Sequence, residues 1–185
     1  VFCKPTKPQL QAYSMVLKSL GLYDPTLATS SDEAIEVDDE ALEAMDGSSV
    51  LIAMTQLAKV CNHPSLLLPQ DCGASQSALQ ISVANLLLEA TKKPAYADSA
   101  SQLKEVICDP KMSGKLLVLE KLLETTQQKC KDKFVLVSSF TKTLGLLQEL
   151  AIRKGWKYVR LDGSSDISHR NHAVEQFQRD PSIFL

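Results

Sequence analysis

At 185 residues, with 44% hydrophobic and 23% charged side chains, the chain has the composition of an ordinary globular protein with one substantial core or two small ones. It has no run of 18 apolar residues, its opening "VFCKPTKPQL" lacks the apolar core of a secretory signal, and its five scattered cysteines (Cys3, Cys61, Cys72, Cys108, Cys130) never form Cys-x-x-Cys. Membrane spans and a disulfide framework are therefore not expected, and free thiols in a reducing compartment, cytosol or nucleus, are. The net charge of −2 hides a segregation: residues 32–46 hold eight acidic and no basic side chains, leaving 20 basic and 14 acidic elsewhere. A body at +6 is compatible with nucleic acid, while the acidic run reads as a solvated surface insertion.

In chain order, "KPQLQAYSMVLKSLG" places Leu10, Tyr13, Leu17 and Leu20 at helical spacing before Gly21. "TLATSSDEAIEVDDEALEAMDGSS" is polar and acidic and reads as a loop, with "DEALEAM" as a short helix. Ser49 then caps an expected helix with Leu51, Ile52, Met54, Leu57, Ala58 and Cys61 as its apolar stripe. Helices are also expected at "ALQISVANLLLEATKK" and "SASQLKEVIC". After Pro110 the pattern alternates: helix "SGKLLVLEKLLETTQQ", strand "KFVLVSS", helix "TKTLGLLQELAIRKG", strand "KYVRLDG", helix "DISHRNHAVEQFQRD", strand "SIFL". Helices between short apolar strands imply right-handed crossovers and a parallel, three-layered α/β sheet. The expected divisions are residues 1–20, a helical region 21–110 with the acidic insertion, and the α/β part 111–185. The missing initiator Met and an end inside a strand give the reading of a piece of something longer.

"VCNHPSLLLP" poses a choice between metal site, nucleophile and turn. Cys61 and His63 lack further ligands at zinc spacing, and near neighbours at a helix end point apart, so neither metal nor Cys-His chemistry is expected. The stretch reads as a helix stop, with Asn62 in the left-handed region, Pro64 forbidding continuation and His63 near the last carbonyls. "MSGKLLVLE" fails as a phosphate-binding loop, because Asp109 stands where the first Gly belongs and Leu116 where the hydroxyl belongs. Ser113 is read as an N-cap instead.

"VLVSSFTKTL" and "VRLDGSSDISHR" each run from a strand into hydroxyls and free amides at a helix start, which suits phosphates. Taken singly, the same Ser and Thr residues could serve only as caps. The candidate DNA-backbone contacts are Ser139, Thr141, Lys142, Gly163, Ser164, Ser165 and Arg170, expected on adjacent strand ends facing one groove. Arg170 is balanced between a phosphate contact and a structural ion pair. No catalytic residue and no metal ligand is expected.

Taken together, "LIAMTQLAKVCNHPSLLL", "SGKLLVLEKLL", "KFVLVSSFTKTLGLLQEL" and "YVRLDGSSDISHRNHAVEQFQRD" resemble, in order and spacing, the second motor lobe of the SNF-type (SWI/SNF-like) DNA translocases of helicase superfamily two. The opening "VFCKPTKPQLQAYSMVL" is similar to the segment leaving the first lobe, most closely in the recombination-repair branch. The resemblance implies a truncated, parallel-sheet RecA-like helicase lobe preceded by a mainly helical region. It implies a parent that is an ATP-dependent translocase on double-stranded DNA in recombination, repair or chromatin remodelling, using ATP and Mg2+ in the nucleus, with a recombinase filament or a nucleosome as partner. The motifs that handle ATP are missing from these residues, so the chain alone is expected to bind no cofactor and to be inactive. The alternative is a non-catalytic module docking a protein through residues 32–46.

Overall fold

The computed structural model describes residues 2–23, 37–69, 76–91, 108–130 and 132–185. Seven α-helices are seen among them: α1 Lys7–Ser19, α2 Asp39–Glu43, α3 Gly47–Asn62, α4 Ala78–Thr91, α5 Gly114–Lys129, α6 Thr141–Lys154 and α7 Ile167–Arg179. Two compact units, Val1–Leu117 and Val118–Leu185, divide within α5. The expected helix "SASQLKEVIC" and most of the loop before α2 lie outside the described residues.

The first unit is helical. Thr6 caps α1 through a full capping box with Gln9, and Pro8 in the first turn costs no hydrogen bond. The buried face of α1 is Gln9, Ala12, Val16 and Leu17. Ala12 and Val16 pack with Val60 of α3, Val83 and Leu87 of α4, and Met112. Helix α3 corrects the expected stripe. Leu51, Ile52 and Met54 are 66%, 54% and 64% exposed, and Cys61 is also exposed. The buried line is instead Ala53, half-buried Leu57 and Val60, spaced i, i+4, i+7, with the small Ala53 packed in a cluster with Leu17 and Leu22. The cap is Asp46, which accepts from the Ser48 and Ser49 amides, so Ser49 is a first-turn residue.

The Cys-Asn-His-Pro stretch does end α3, by a different route from the one expected. Asn62 is the last helical residue, and His63 is extended, with φ −168° and ψ 134°. That is the conformation Pro64 imposes on the residue before it. His63 is wholly buried. Its Nδ1 accepts from the Ser65 amide at 3.1 Å, which makes Nε2 the protonated nitrogen that donates to Asp109 O at 3.0 Å. The His63 side chain thereby caps the 3-10 turn Pro64–Leu67, while its backbone amide meets Lys59 O, leaving the last three carbonyls of α3. Those go elsewhere: Gln9 Nε2 donates to Val60 O and Cys61 O, both at 3.1 Å, and Ser113 Oγ donates to Asn62 O at 2.6 Å. Gln9 Oε1 accepts from the Thr6 amide at 3.1 Å and the Gly114 amide at 2.9 Å. One buried amide side chain therefore starts α1, ends α3 and starts α5. Ser113 Oγ accepts from the Leu116 amide at 3.2 Å, which is the N-cap expected of it. Gly114 is obligatory on steric grounds, since a Cβ there would lie 1.9 Å from Lys4 O.

The second unit departs from the expected α/β sheet. Among its described residues there is no strand, only extended segments and one parallel bridge, Lys157 with Ile183. Residues 182–185 lie between the other two segments: the Phe134 amide donates to Phe184 O, the Phe184 amide to Lys157 O and the Val159 amide to Leu185 O, each at 2.9 Å. An overlap of about three residues closes too few hydrogen bonds for a ladder. Aromatic edges reinforce it, with Phe184 5.5 Å from Phe134 and 5.3 Å from Trp156, both edge to face. Trp156 Nε1 donates to Gln127 Oε1 at 2.6 Å, and Lys154 Nζ sits 2.6 Å from both Glu120 and Glu124, tying the end of α6 to α5. Gly155, at φ +67°, supplies the left-handed residue that ends α6.

Candidate nucleic-acid interface

The two hydroxyl-rich loops differ in how far the fold has already used their polar groups. Helix α6 begins at Phe140, an N-cap with no side-chain hydrogen bond. Ser138 Oγ accepts from the Phe140 amide at 3.2 Å in a local turn. The first amides with a backbone acceptor are those of Thr143 and Leu144, both to Phe140 O. The Thr141 and Lys142 amides therefore lie at the positive end of the helix dipole without an intrahelical acceptor. Ser139 and Thr141 are exposed and Lys142 half-buried. Among the described residues, none of these three side chains has a hydrogen-bond or ionic partner. The capping alternative for these hydroxyls does not hold at this loop.

At the second loop it largely does. Asp162 Oδ1 accepts from the Ser164 amide at 3.0 Å and from Ser164 Oγ at 2.6 Å, and Ser165 Oγ accepts from the Asp162 amide at 3.4 Å. Arg160 grips Asp162 Oδ2 through Nε and Nη2, both at 2.9 Å, and reaches Gln148 Oε1 at 2.8 Å. The Ser164 hydroxyl and amide, then the Arg160 guanidinium, hold the Asp162 carboxyl at about 2, so a fixed negative charge sits inside the loop. Asp166 caps α7 through the His169 amide at 2.6 Å. Gly163 and Ser164 are exposed and Ser165 half-buried. Arg170 donates to Asp162 O at 3.5 Å, a carbonyl contact at the limit of hydrogen bonding, and its side chain is otherwise exposed.

The structure thus gathers Ser139, Thr141 and Lys142 at one helix start and Gly163, Ser164, Ser165 and Arg170 around Asp162. The segments behind these two loops are not direct neighbours. Residues 182–185 stand between them. Sequence reasoning missed the Arg160–Asp162 clamp, although an Arg two residues before an Asp on an extended segment places both on one side.

The Ser113-Gly114-Lys115 stretch offers no phosphate cradle. The Gly114 amide is taken by Gln9, Ser113 Oγ by Asn62 O, and Lys115 Nζ donates to Asn62 Oδ1 at 2.8 Å. Among the described residues, no three His, Cys, Asp or Glu side chains gather as a metal site, and no helix is long and apolar enough to cross a membrane.

No family model matches the chain. Individual relatives do. The DNA repair protein rhp54 of Schizosaccharomyces pombe is 34% identical over 143 residues, covering 75% of this chain and 15% of that protein. The human DNA repair and recombination protein RAD54-like is 35% identical over 144 residues, covering 78% and 17%. Human RAD54B is 31% identical over 190 residues, covering all of this chain and 18% of that protein. The crystal structure of the C-terminal part of the Fun30 ATPase domain superposes with a TM-score of 0.57 at 18% identity, over 100% of this chain and 65% of that one. The sequence groups the chain with the Rad54-like proteins of the SNF2 family. Within it, the relatives are the Rad54-like proteins of DNA repair and recombination, and the chain spans between 15% and 18% of the length of the three relatives named.

Proposed function

We infer that the chain is a DNA-backbone-contacting part of an ATP-dependent double-stranded DNA translocase of recombination and repair, working in the nucleus, with its second unit forming part of a RecA-like lobe. The observation that carries this reading is the uncapped start of α6, where free amides, two unpartnered hydroxyls and the Lys142 ammonium share one exposed helix end. The repair and recombination names of the relatives and the ATPase-domain neighbour support it. The second loop contributes less to phosphate binding, through Gly163, Ser165 and Arg170, because Asp162 already occupies Ser164. ATP and Mg2+ belong to the parent: the described residues here bind, orient and couple but hold no nucleotide, and the purified chain alone turns over no ATP with or without DNA. A recombinase filament is the partner in keeping with the relatives' recombination role.

The test is duplex binding by the purified chain at several salt concentrations. Phosphate contacts carry no sequence information, so Lys142→Ala should weaken all duplexes alike and reduce the salt slope by about one unit. A variant that kept the wild-type slope while losing only selected sequences would refute backbone contact. If deletion of residues 32–46 abolished a protein interaction while DNA affinity was absent from the start, the docking module would replace this reading.

A further inference from the structure

We propose that the outer face of α3 is a self-association surface, on which a second copy of this chain packs antiparallel about a two-fold axis. Ala53, Leu57 and Val60 form the inner line of the helix. Opposite them it presents Leu51, Thr55, Ala58 and Asn62, spaced i, i+4, i+7, i+11, with Met54 and Cys61 flanking on one side and Ile52 on the other. Leu51, Ile52 and Met54 are each more than half exposed, and Cys61 is exposed. Thr55 Oγ1 donates to Leu51 O at 2.8 Å, so Thr55 adds a methyl and no unmet donor. A contiguous apolar patch of this kind marks a packing surface.

Size and charge both commit the face to a copy of itself. The large side chains Leu51, Ile52 and Met54 fill its N-terminal half, and the small Ala58 lies in its C-terminal half. In an antiparallel register centred between Met54 and Thr55, Leu51 lies against Ala58 of the second copy, and Ala58 against Leu51 in return. The two ends of the helix also carry opposite charges. At the N-terminal end Asp46 is the cap, its carboxyl held well below the ordinary carboxylate range, first by the Ser48 hydroxyl, and Asp39, Glu40 and Glu43 are exposed just before it. At the C-terminal end Lys115 Nζ donates to Asn62 Oδ1 at 2.8 Å, a neutral acceptor that anchors the ammonium on this face without cancelling its charge. The same register carries Asp46 to the level of the last turn of the second copy, where Lys115 stands. An antiparallel pair makes that meeting twice, whereas a parallel pair sets acid on acid and lysine on lysine. One helix pair falls below the roughly 1,200 Å2 of a standard interface, so the dimer is weak. All of these residues lie in the first unit, apart from those assigned to DNA.

The experiment is sedimentation equilibrium of the folded chain at concentrations up to about 1 mM. The expected result is a monomer–dimer equilibrium that weakens as salt rises. Leu51→Lys should weaken it about tenfold or more. Lys115→Glu, which sets an acid against Asp46, should weaken it at low salt and approach wild type at high salt. Under mild oxidation Thr55→Cys should give covalent dimers linked from 55 to 55, while native Cys61, about 20 Å from its counterpart in an antiparallel pair, should give none. Circular dichroism checks that each variant is folded. The proposal is overturned by a chain that stays monomeric throughout, by dimers indifferent to Leu51→Lys, or by dimers linked from Cys61 to Cys61. It is also overturned if the chain stays monomeric while DNA or another protein protects α3 from hydrogen exchange, which would give the face a different occupant.

Discussion

The two units treat their backbone polar groups in opposite ways. In the first, the end of α3 and the start of α5 meet the side chains of Gln9 and Ser113, and every carbonyl of the last turn of α3 has a donor: Lys59 O from the His63 amide, Val60 O and Cys61 O from Gln9, Asn62 O from Ser113. In the second, α6 begins without a cap, the extended segments pair through one bridge, and an apolar cleft of about 440 Å3 lies among Phe134, Leu136, Leu147, Val159, Phe177 and Leu185. A motif-like stretch in the first unit is therefore spent on structure, whereas in the second the side chains of Ser139, Thr141 and Lys142 at α6 have no partner among the described residues. The same residue types, Ser, Thr, Gly and Lys, mean different things in the two places because their hydrogen-bonding capacity is consumed in one and not in the other.

That contrast breaks most visibly at Gly114. Gly114→Ala drives a Cβ to 1.9 Å from Lys4 O, backbone against backbone, and should cost ~3 kcal/mol or more in urea unfolding. A neutral alanine would show that the junction is loose. Gln9→Leu removes four hydrogen bonds from a side chain only 3% exposed and should lose about 2–3 kcal/mol. Gln9→Glu should do no better than Leu, because a carboxylate cannot donate to Val60 O and Cys61 O. His63→Ala, which strands Asp109 O and the Ser65 amide, should cost about 2 kcal/mol, and no metal should leave with it. Stoichiometric zinc lost in that variant would overturn the helix-stop reading.

In the second unit the expected effects are smaller. Asp162 titrates near 2, below its ordinary 3.8. A depressed folded-state value stabilises the protein above pH 3.8, and that stabilisation is lost as the pH falls towards 2. Asp162→Asn should therefore be the less stable protein above about pH 4 and should converge with wild type near pH 2 in acid-unfolding curves. Lys142→Ala should leave stability unchanged within ~0.5 kcal/mol, since the side chain has no partner among the described residues. Calorimetry checks this, and a large loss would mean that Lys142 belongs to the fold and not to a surface for phosphate.

How much was legible beforehand follows the same division. The helices at "KPQLQAYSMVLKS", "ALQISVANLLLEAT", "GKLLVLEKLLETTQQK", "TKTLGLLQELAIRK" and "ISHRNHAVEQFQR" emerge within a residue or two of their expected limits, because apolar periodicity and terminal Gly or Asp residues are local properties. The stop at Pro64 was legible for the same reason. The buried face of α3 was not: the sequence offered the bulkier stripe through Leu51, Ile52 and Met54, and close packing against α1 selected the one through Ala53 and Val60.

By itself the sequence determined where most of the described helices run and that Ser113 opens one of them. Only the tertiary structure decided which polar groups remain free. Nothing in the sequence marks Gln9, on which three chain segments converge. Ser164 looked as available as Ser139 until Asp162 turned back to accept its hydroxyl. Residue type fixes what a side chain can donate or accept. Its partners come from residues as distant as 106 positions, and that pairing is settled when the backbone closes.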